Sequence, residues 1–105
     1  MSLDMYYKSG LIRKTRCQIS DEMLPILYQI HGNANFPQLT WLIDNIYENP
    51  QIQPDIAEAL ADEMVAFEKL LLSLHLPFPR LTLQKMHTFF VGAATSQQII
   101  YTSSD

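Results

Sequence analysis

The feature that most restricts the fold is an apolar stripe between Pro54 and Pro77. Apolar side chains recur there at steps of three or four residues, which places them on one face of an α-helix. The stripe consists of Ile56, Leu60, Met64, Phe67, Leu71 and Leu74. Pro54 suits a first helical turn, and Pro77 stops the pattern. The sequence therefore predicts a helix over residues 54–76, roughly 34 Å long at about 1.5 Å per residue, which forms the centre of the fold.

The length and composition of the chain indicate one globular domain. The 105 residues are 48% hydrophobic and 17% charged, so neither disorder nor a second core is expected. We predict a single domain over 1–105, with 1–10 as a loose arm or a start left by expression and 103–105 as a loose end. The single cysteine and the lack of a secretory leader favour a cytoplasmic protein. Every apolar run is far shorter than the about 20 residues that a membrane span needs, so we expect a soluble protein without membrane contact.

A short helix is expected before the central one. Ser20 is a candidate N-cap for a helix that runs through His31. Pro25 is tolerated best in a first turn, so regular helix is expected only from about Leu24. Gly32 then ends the helix in the left-handed conformation.

A second helix has clearer boundaries. Asn35 with Gln38 three residues later resembles a capping box, and Pro37 lies in the first turn. Asn49 and Pro50 end the segment. Its apolar residues recur at helical spacing, namely Leu39, Leu42, Ile43 and Ile46.

The two ends of the chain leave the fold class open. Residues 11–19 alternate in polarity and predict an edge strand or an ordered arm. Residues 81–94 favour a fourth helix capped by Thr82, although 87–91 and 98–102 also suit two strands of a hairpin.

We therefore predict a mainly α fold, a small bundle of about four helices around the long helix. The alternative is an α+β fold, with a small sheet formed by the N-terminal segment and the C-terminal hairpin.

Charge is strongly segregated along the chain. Residues 1–20 carry four Lys or Arg against one Asp, whereas residues 21–68 carry nine carboxylates and no Lys or Arg. An acidic surface repels phosphate, so nucleic acid is not an expected partner. The plainest interpretation is a solvated acidic face over which the basic ends fold back, and the functional one is a face that attracts basic proteins.

No local pattern of reactive residues predicts catalysis. His31, His75 and His87 lack a carboxylate, Cys or His at helical spacing, so no metal pair is expected. Cys17 has no nucleophile signature and is interpreted as a small buried hydrophobe, although its neighbour Arg16 would lower a thiol pKa. We predict no catalytic, cofactor-binding or metal-binding residue.

Partner-binding candidates come from the acidic block and its aromatic side chains. Asp55, Glu58 and Asp62 share one face of the long helix, and Trp and Tyr are enriched at interface hot spots. The candidates are Trp41, Asp44, Tyr47, Glu48, Asp55, Glu58 and Asp62.

These observations predict a small acidic protein-interaction module and not an enzyme. One form is a regulatory or immunity-type inhibitor that covers a basic surface of a partner protein. Two alternatives remain. The first is a small-molecule-binding domain or enzyme that uses His87 in a pocket between the long helix and the C-terminal segment. The second is a structural homo-oligomer.

Overall fold

The computed structural model describes residues 2–10 and 13–104. Two strands come first, helices follow, and a third strand closes the described chain. The elements are β1 (Leu3–Lys8), β2 (Lys14–Ile19), α1 (Leu24–Leu27), α2 (Pro37–Asp44), α3 (Pro54–Ser73), α4 (Arg80–Thr95) and β3 (Tyr101–Ser104), with 3₁₀ turns at Tyr28–Ile30 and Ile46–Glu48. The fold is α+β, in agreement with the alternative prediction. The mainly α prediction holds only for the helices around α3.

The sheet is antiparallel throughout, with strand order β2-β1-β3. Its central strand is formed by residues of the predicted loose arm, and the predicted loose end contributes Ser103 and Ser104 to β3. Both predictions are wrong because β1 lies between two strands: Leu3 lies opposite Ile19 in the hairpin with β2, and opposite Ser104 of β3, which comes from the other end of the chain. Met1 and Asp105 lie outside the described residues.

The predicted strand 11–19 is confirmed over Lys14–Ile19, while Leu11 and Ile12 lie outside the described residues. One face of the sheet turns towards the helices. Its buried side chains alternate along β1, as expected for a half-buried strand. They are Leu3, Met5 and Tyr7.

The long helix is confirmed, but it ends at Ser73 instead of residue 76. His75 adopts a left-handed conformation with a φ of 55°. The Leu76 amide then donates to the Leu71 carbonyl at 3.2 Å, and the His75 amide donates to that of Leu72. This is a Schellman motif, which ends the helix before Pro77 takes effect.

The favoured fourth helix is confirmed and slightly longer than predicted, whereas a strand over 87–91 is wrong. Of the strand predicted over 98–102, only residues 101 and 102 are in a strand, as the first part of β3. Thr82 does not cap α4, because the N-cap position is Pro79. α4 packs closely on the sheet at Gly92, where an added Cβ atom would collide with Oη of Tyr7.

The first predicted helix is mostly a turn. The Ser20 carbonyl accepts hydrogen bonds from the Met23 and Leu24 amides, and only Leu24–Leu27 is α-helical before the 3₁₀ turn. Pro25 lies in the first helical turn, as expected. Gly32 has a φ of 79°, which confirms the predicted left-handed residue.

The start of α2 corrects the predicted capping box. The N-cap position is Phe36, which has no capping side chain, and Asn35 does not serve as the cap. Instead, the Glu63 carboxylate of α3 accepts the Gln38 amide at 3.0 and 3.1 Å and the Leu39 amide at 2.9 Å. Glu63 is only 8% exposed, and this contact provides for otherwise unpaired amides at the helix start.

A single apolar core joins the sheet to the helices. Among its largest fully buried side chains are Phe67, Phe90, Leu3, Met5 and Leu60. None of the helices in the described ranges combines the length and apolar composition needed to cross a membrane.

Candidate functional site

The first half of α3 presents an acidic surface to solvent. Asp55, Glu58 and Asp62 are all exposed, and their spacing of three and four residues puts them on one helix face. None of the three forms an ion pair within the described ranges. We call these three side chains the α3 acidic face. The predicted juxtaposition of its members on one face of the long helix is confirmed.

Other carboxylates of the acidic block are already engaged inside the protein. Asp44 lies 2.6 Å from Nε2 of His31, and Glu68 accepts a hydrogen bond from Nε of Arg80 at 3.0 Å. The Glu63 carboxylate accepts hydrogen bonds from the backbone amides at the start of α2. The carboxylates of the α3 acidic face differ from these three in having no internal partner in the described part of the chain.

The remaining candidates lie on α2 and the 3₁₀ turn that follows it. Trp41 is half-buried and packs against the core, so its side chain contributes to stability. Tyr47 is 67% exposed, and the neighbouring Glu48 is also exposed. Asp44 is exposed but held by His31. Of these four, Tyr47 and Glu48 have side chains that are accessible to a partner.

A small concavity lies between α3 and α4, beside the α3 acidic face. It has a volume of about 300 Å³ and is lined by Glu58, Asp62 and His87 together with small side chains of both helices. His87 is half-buried. The fold thus brings a histidine to two carboxylates that are far from it in sequence, which local spacing does not indicate.

The chemistry of this concavity is limited. In residues 2–10 and 13–104, no group of three or more His, Cys, Asp or Glu side chains is arranged to hold a metal ion. The arrangement can attract a protonated amine, because it offers two carboxylates and an imidazole in a partly enclosed space.

Cys17 lies elsewhere, between β2 and α4, and no histidine is among the residues that line that region. Burial raises the pKa of the Cys17 thiol to about 11, and the Gln18 amide and the Lys85 charge offset this only in part. The expectation that Arg16 would lower this pKa is wrong, because the pKa lies above its ordinary value of 9.0. The thiol is therefore protonated at neutral pH, whereas the strong nucleophile is the thiolate.

The basic residues of the N-terminal segment occupy the outer face of the sheet. Lys14 lies 4.7 Å from the centre of the Tyr6 ring, and that ring stacks on Tyr101 at 5.5 Å. Lys14 and Arg16 are exposed and form no ion pair with the acidic block in the described part of the chain. The prediction that the basic ends fold back over the carboxylates therefore fails for this segment, whereas Arg80 near the other end does pair with Glu68.

A second and larger concavity has no counterpart in the sequence-based predictions. A groove of about 630 Å³ runs between β2 and the first half of α4. Its lining includes Arg16, Cys17, Leu81, Lys85 and Phe89. No local pattern marks it, because its two walls are roughly 60 residues apart in the chain.

No protein-family model, no curated protein and no solved structure matches the chain. Its function must therefore be inferred from these surfaces.

Proposed function

We propose that the protein is a small protein-interaction module of the regulatory or inhibitor type, which covers a basic surface of a partner protein with the α3 acidic face. One observation carries this proposal. Asp55, Glu58 and Asp62 have no internal partner among the described residues, whereas three other carboxylates of the same block are engaged. A helix holds the three charges in fixed relative positions, which reduces the ordering cost of binding.

The physical basis is electrostatic complementarity. Three like charges on successive turns repel each other weakly in solution, and a cationic surface relieves that repulsion when it binds. Such pairing increases the association rate and selects against acidic partners, and it weakens as ionic strength rises. Tyr47 offers an exposed aromatic ring of the kind that often anchors such interfaces.

The test is affinity capture from the host with a charge-neutral variant, D55N/E58Q/D62N. The matched control is D4N/E22Q, which removes exposed carboxylates outside α3. We expect the natural protein and the control to retain the same basic partner at low salt and to release it at high salt, and the triple variant not to retain it. Equal capture by all three proteins, or capture of no basic protein by any of them, would contradict the proposal.

A second candidate function is favoured by the concavity that contains His87. Glu58, Asp62 and His87 line a space large enough for a small cationic ligand. This function predicts saturable binding of a small amine that is abolished by His87→Ala, while partner capture is unchanged. The two functions are thus separable, because His87 does not belong to the α3 acidic face.

A further inference from the structure

The two edges of the sheet differ in whether other parts of the chain cover them. The β3 edge is covered by the segment after the second 3₁₀ turn. The amides and carbonyls of Ile52 and Ile100 exchange two hydrogen bonds of 2.9 Å. Oδ1 of Asn49 accepts the Ser104 amide at 3.0 Å. This edge is closed to a further strand.

The β2 edge has no such cover within the described ranges. The Ser9 amide donates to the Arg13 carbonyl at 3.0 Å, so these two residues form a hydrogen-bonded pair of the hairpin, and every second pair after them is bonded in the same way. Because directly opposed residues alternate between bonded and non-bonded pairs, the amides and carbonyls of Lys14 and Arg16 point away from β1. They form no hydrogen bond with any other part of the chain that the structure describes.

The 630 Å³ groove lies along this open edge. Cys17 and Phe89 provide apolar surface inside it, and Leu81 stands at its rim with 74% of its surface exposed. Lys85 contributes positive charge from the α4 wall, and Arg16 lines the groove from β2 while its side chain shares the outer face of the sheet with Tyr6. An edge strand beside a helix, with apolar and cationic positions between them, is the arrangement in which an extended peptide adds to a sheet.

We propose that the β2 edge and the groove against α4 bind an extended acidic peptide segment of a partner protein, which adds as a fourth strand next to β2. Its backbone satisfies the outward groups of Lys14 and Arg16. Alternate apolar side chains enter the groove, and the carboxylates between them lie on the outer face of the sheet beside Arg16, while Lys85 adds positive charge on the α4 side. This site is separate from the α3 acidic face and takes a partner of opposite charge.

A second copy of this chain is disfavoured as the occupant. Pairing of β2 with another β2 would bring Lys14 and Arg16 of the two copies together, and like charges opposed across strands are destabilising. Lysine and arginine on an edge strand are a common means of preventing such self-pairing. The same charges favour an acidic segment.

The probe is a labelled heptapeptide that alternates valine with aspartate or glutamate. We expect saturable binding to the full chain, protection of the Lys14 and Arg16 amides from hydrogen exchange, and chemical-shift changes along β2 and α4. A peptide with lysine at every acidic position should not bind. The acidic peptide with a central proline should bind more weakly, because that residue cannot donate to the edge.

Two variants at Arg16 separate backbone pairing from charge. Arg16→Thr removes the charge and keeps the amide, whereas Arg16→Pro also removes the outward amide without breaking a bond to β1. We expect Arg16→Pro to bind about fivefold more weakly than Arg16→Thr, the equivalent of one net hydrogen bond of roughly 1 kcal/mol. Lys85→Glu, an exposed change on α4, should weaken binding in a salt-dependent way and leave the fold intact.

Three outcomes would overturn the proposal. The first is no saturable binding of the acidic peptide to the natural protein at about 1 mM. The second is binding that perturbs the outer sheet face around Tyr6 and Tyr101 and leaves the β2 edge unprotected. The third is a dimer in light scattering whose β2 amides are protected without any peptide.

Discussion

The helical side and the sheet side of this small domain present opposite charges through different kinds of surface. Beyond the first turn of α3, backbone groups are bonded within the helix, so a partner can be recognised there only through side chains, here those of Glu58 and Asp62. On β2, by contrast, the outward backbone groups of Lys14 and Arg16 have no hydrogen-bond partner among the described residues, and the side chains are basic. A chain of this size can therefore combine recognition by charge alone with strand addition guided by charge.

The same contrast exists within α3 between adjacent residues. Asp62 is exposed and has no internal partner among the described residues, whereas Glu63 is buried and holds the start of α2. Both are carboxylates in one acidic run, so their roles differ only through the direction in which the helix points them. Stability should therefore respond very differently to substitution at these two positions.

The largest effect is expected for Glu63→Ala. It removes the acceptor of the Gln38 and Leu39 amides and leaves them unsatisfied, so the free energy of unfolding should fall by about 3 kcal/mol. Chemical denaturation measures this. Asp62→Ala is the matched control and should change stability by less than about 0.5 kcal/mol. Equal losses of stability in the two variants would contradict the claim that Glu63 stabilises the fold and Asp62 does not.

Gly92→Ala tests the contact where the helical and sheet sides meet. The new Cβ atom would collide with Oη of Tyr7, and the free energy of unfolding should fall by about 2 kcal/mol. Tyr7→Phe removes that oxygen, so the double variant should recover part of the loss in a thermal or denaturant melt. A double variant with strictly additive losses would show that the contact is not the cause.

The pKa of the Cys17 thiol tests whether the groove between β2 and α4 is apolar around that side chain. Its pKa of about 11 lies above the ordinary value of 9.0, so the unfolded chain ionises first as pH rises. The stabilising effect of the neutral thiol is therefore full below pH 9 and is lost between pH 9 and 11, by about 2 kcal/mol or less given its partial exposure. Thiolate absorbance of the folded protein should rise near pH 11, and a midpoint near 9 would contradict this.

The smallest effect is expected at the end of α3. His75 adopts a left-handed conformation that glycine takes without strain, so His75→Gly should stabilise the protein by about 0.5–1 kcal/mol in a denaturant melt. Gln97 has the same conformation after α4, and Gln97→Gly provides a matched comparison. A loss of stability in both variants would mean that these side chains contribute more than their backbone strain costs.

The elements that could be predicted from the sequence are those with a long local pattern. The stripe of α3 extends over about five turns, and α4 keeps the same period, so both helices follow from spacing alone. β1 could not be predicted, because six residues of alternation are a weak signal and one of its two partners, β3, is far away in the chain. The contact of Glu63 with the start of α2 is equally hidden, since it joins residues 24 and 25 apart.

The candidate sites divide in the same way. The α3 acidic face follows from helical spacing, so its geometry is predictable once the helix is identified. The pairing of Asp44 with His31 depends on how two separate segments pack, and so does the groove between β2 and α4. Phe36 precedes Pro37 and has no capping side chain, so the amides at the start of α2 need an acceptor from elsewhere, but nothing in the sequence identifies Glu63 as that acceptor.

The most direct test of two independent surfaces is one NMR titration of the full chain with two probes, added in either order. We expect a lysine-rich peptide to shift the amides of 55–62 and leave 14–18 unchanged, and the alternating acidic peptide to do the reverse. Each should bind equally well in the presence of the other. If both peptides perturb the same residues, or if neither perturbs the residues assigned to it, the claim of two independent surfaces is contradicted.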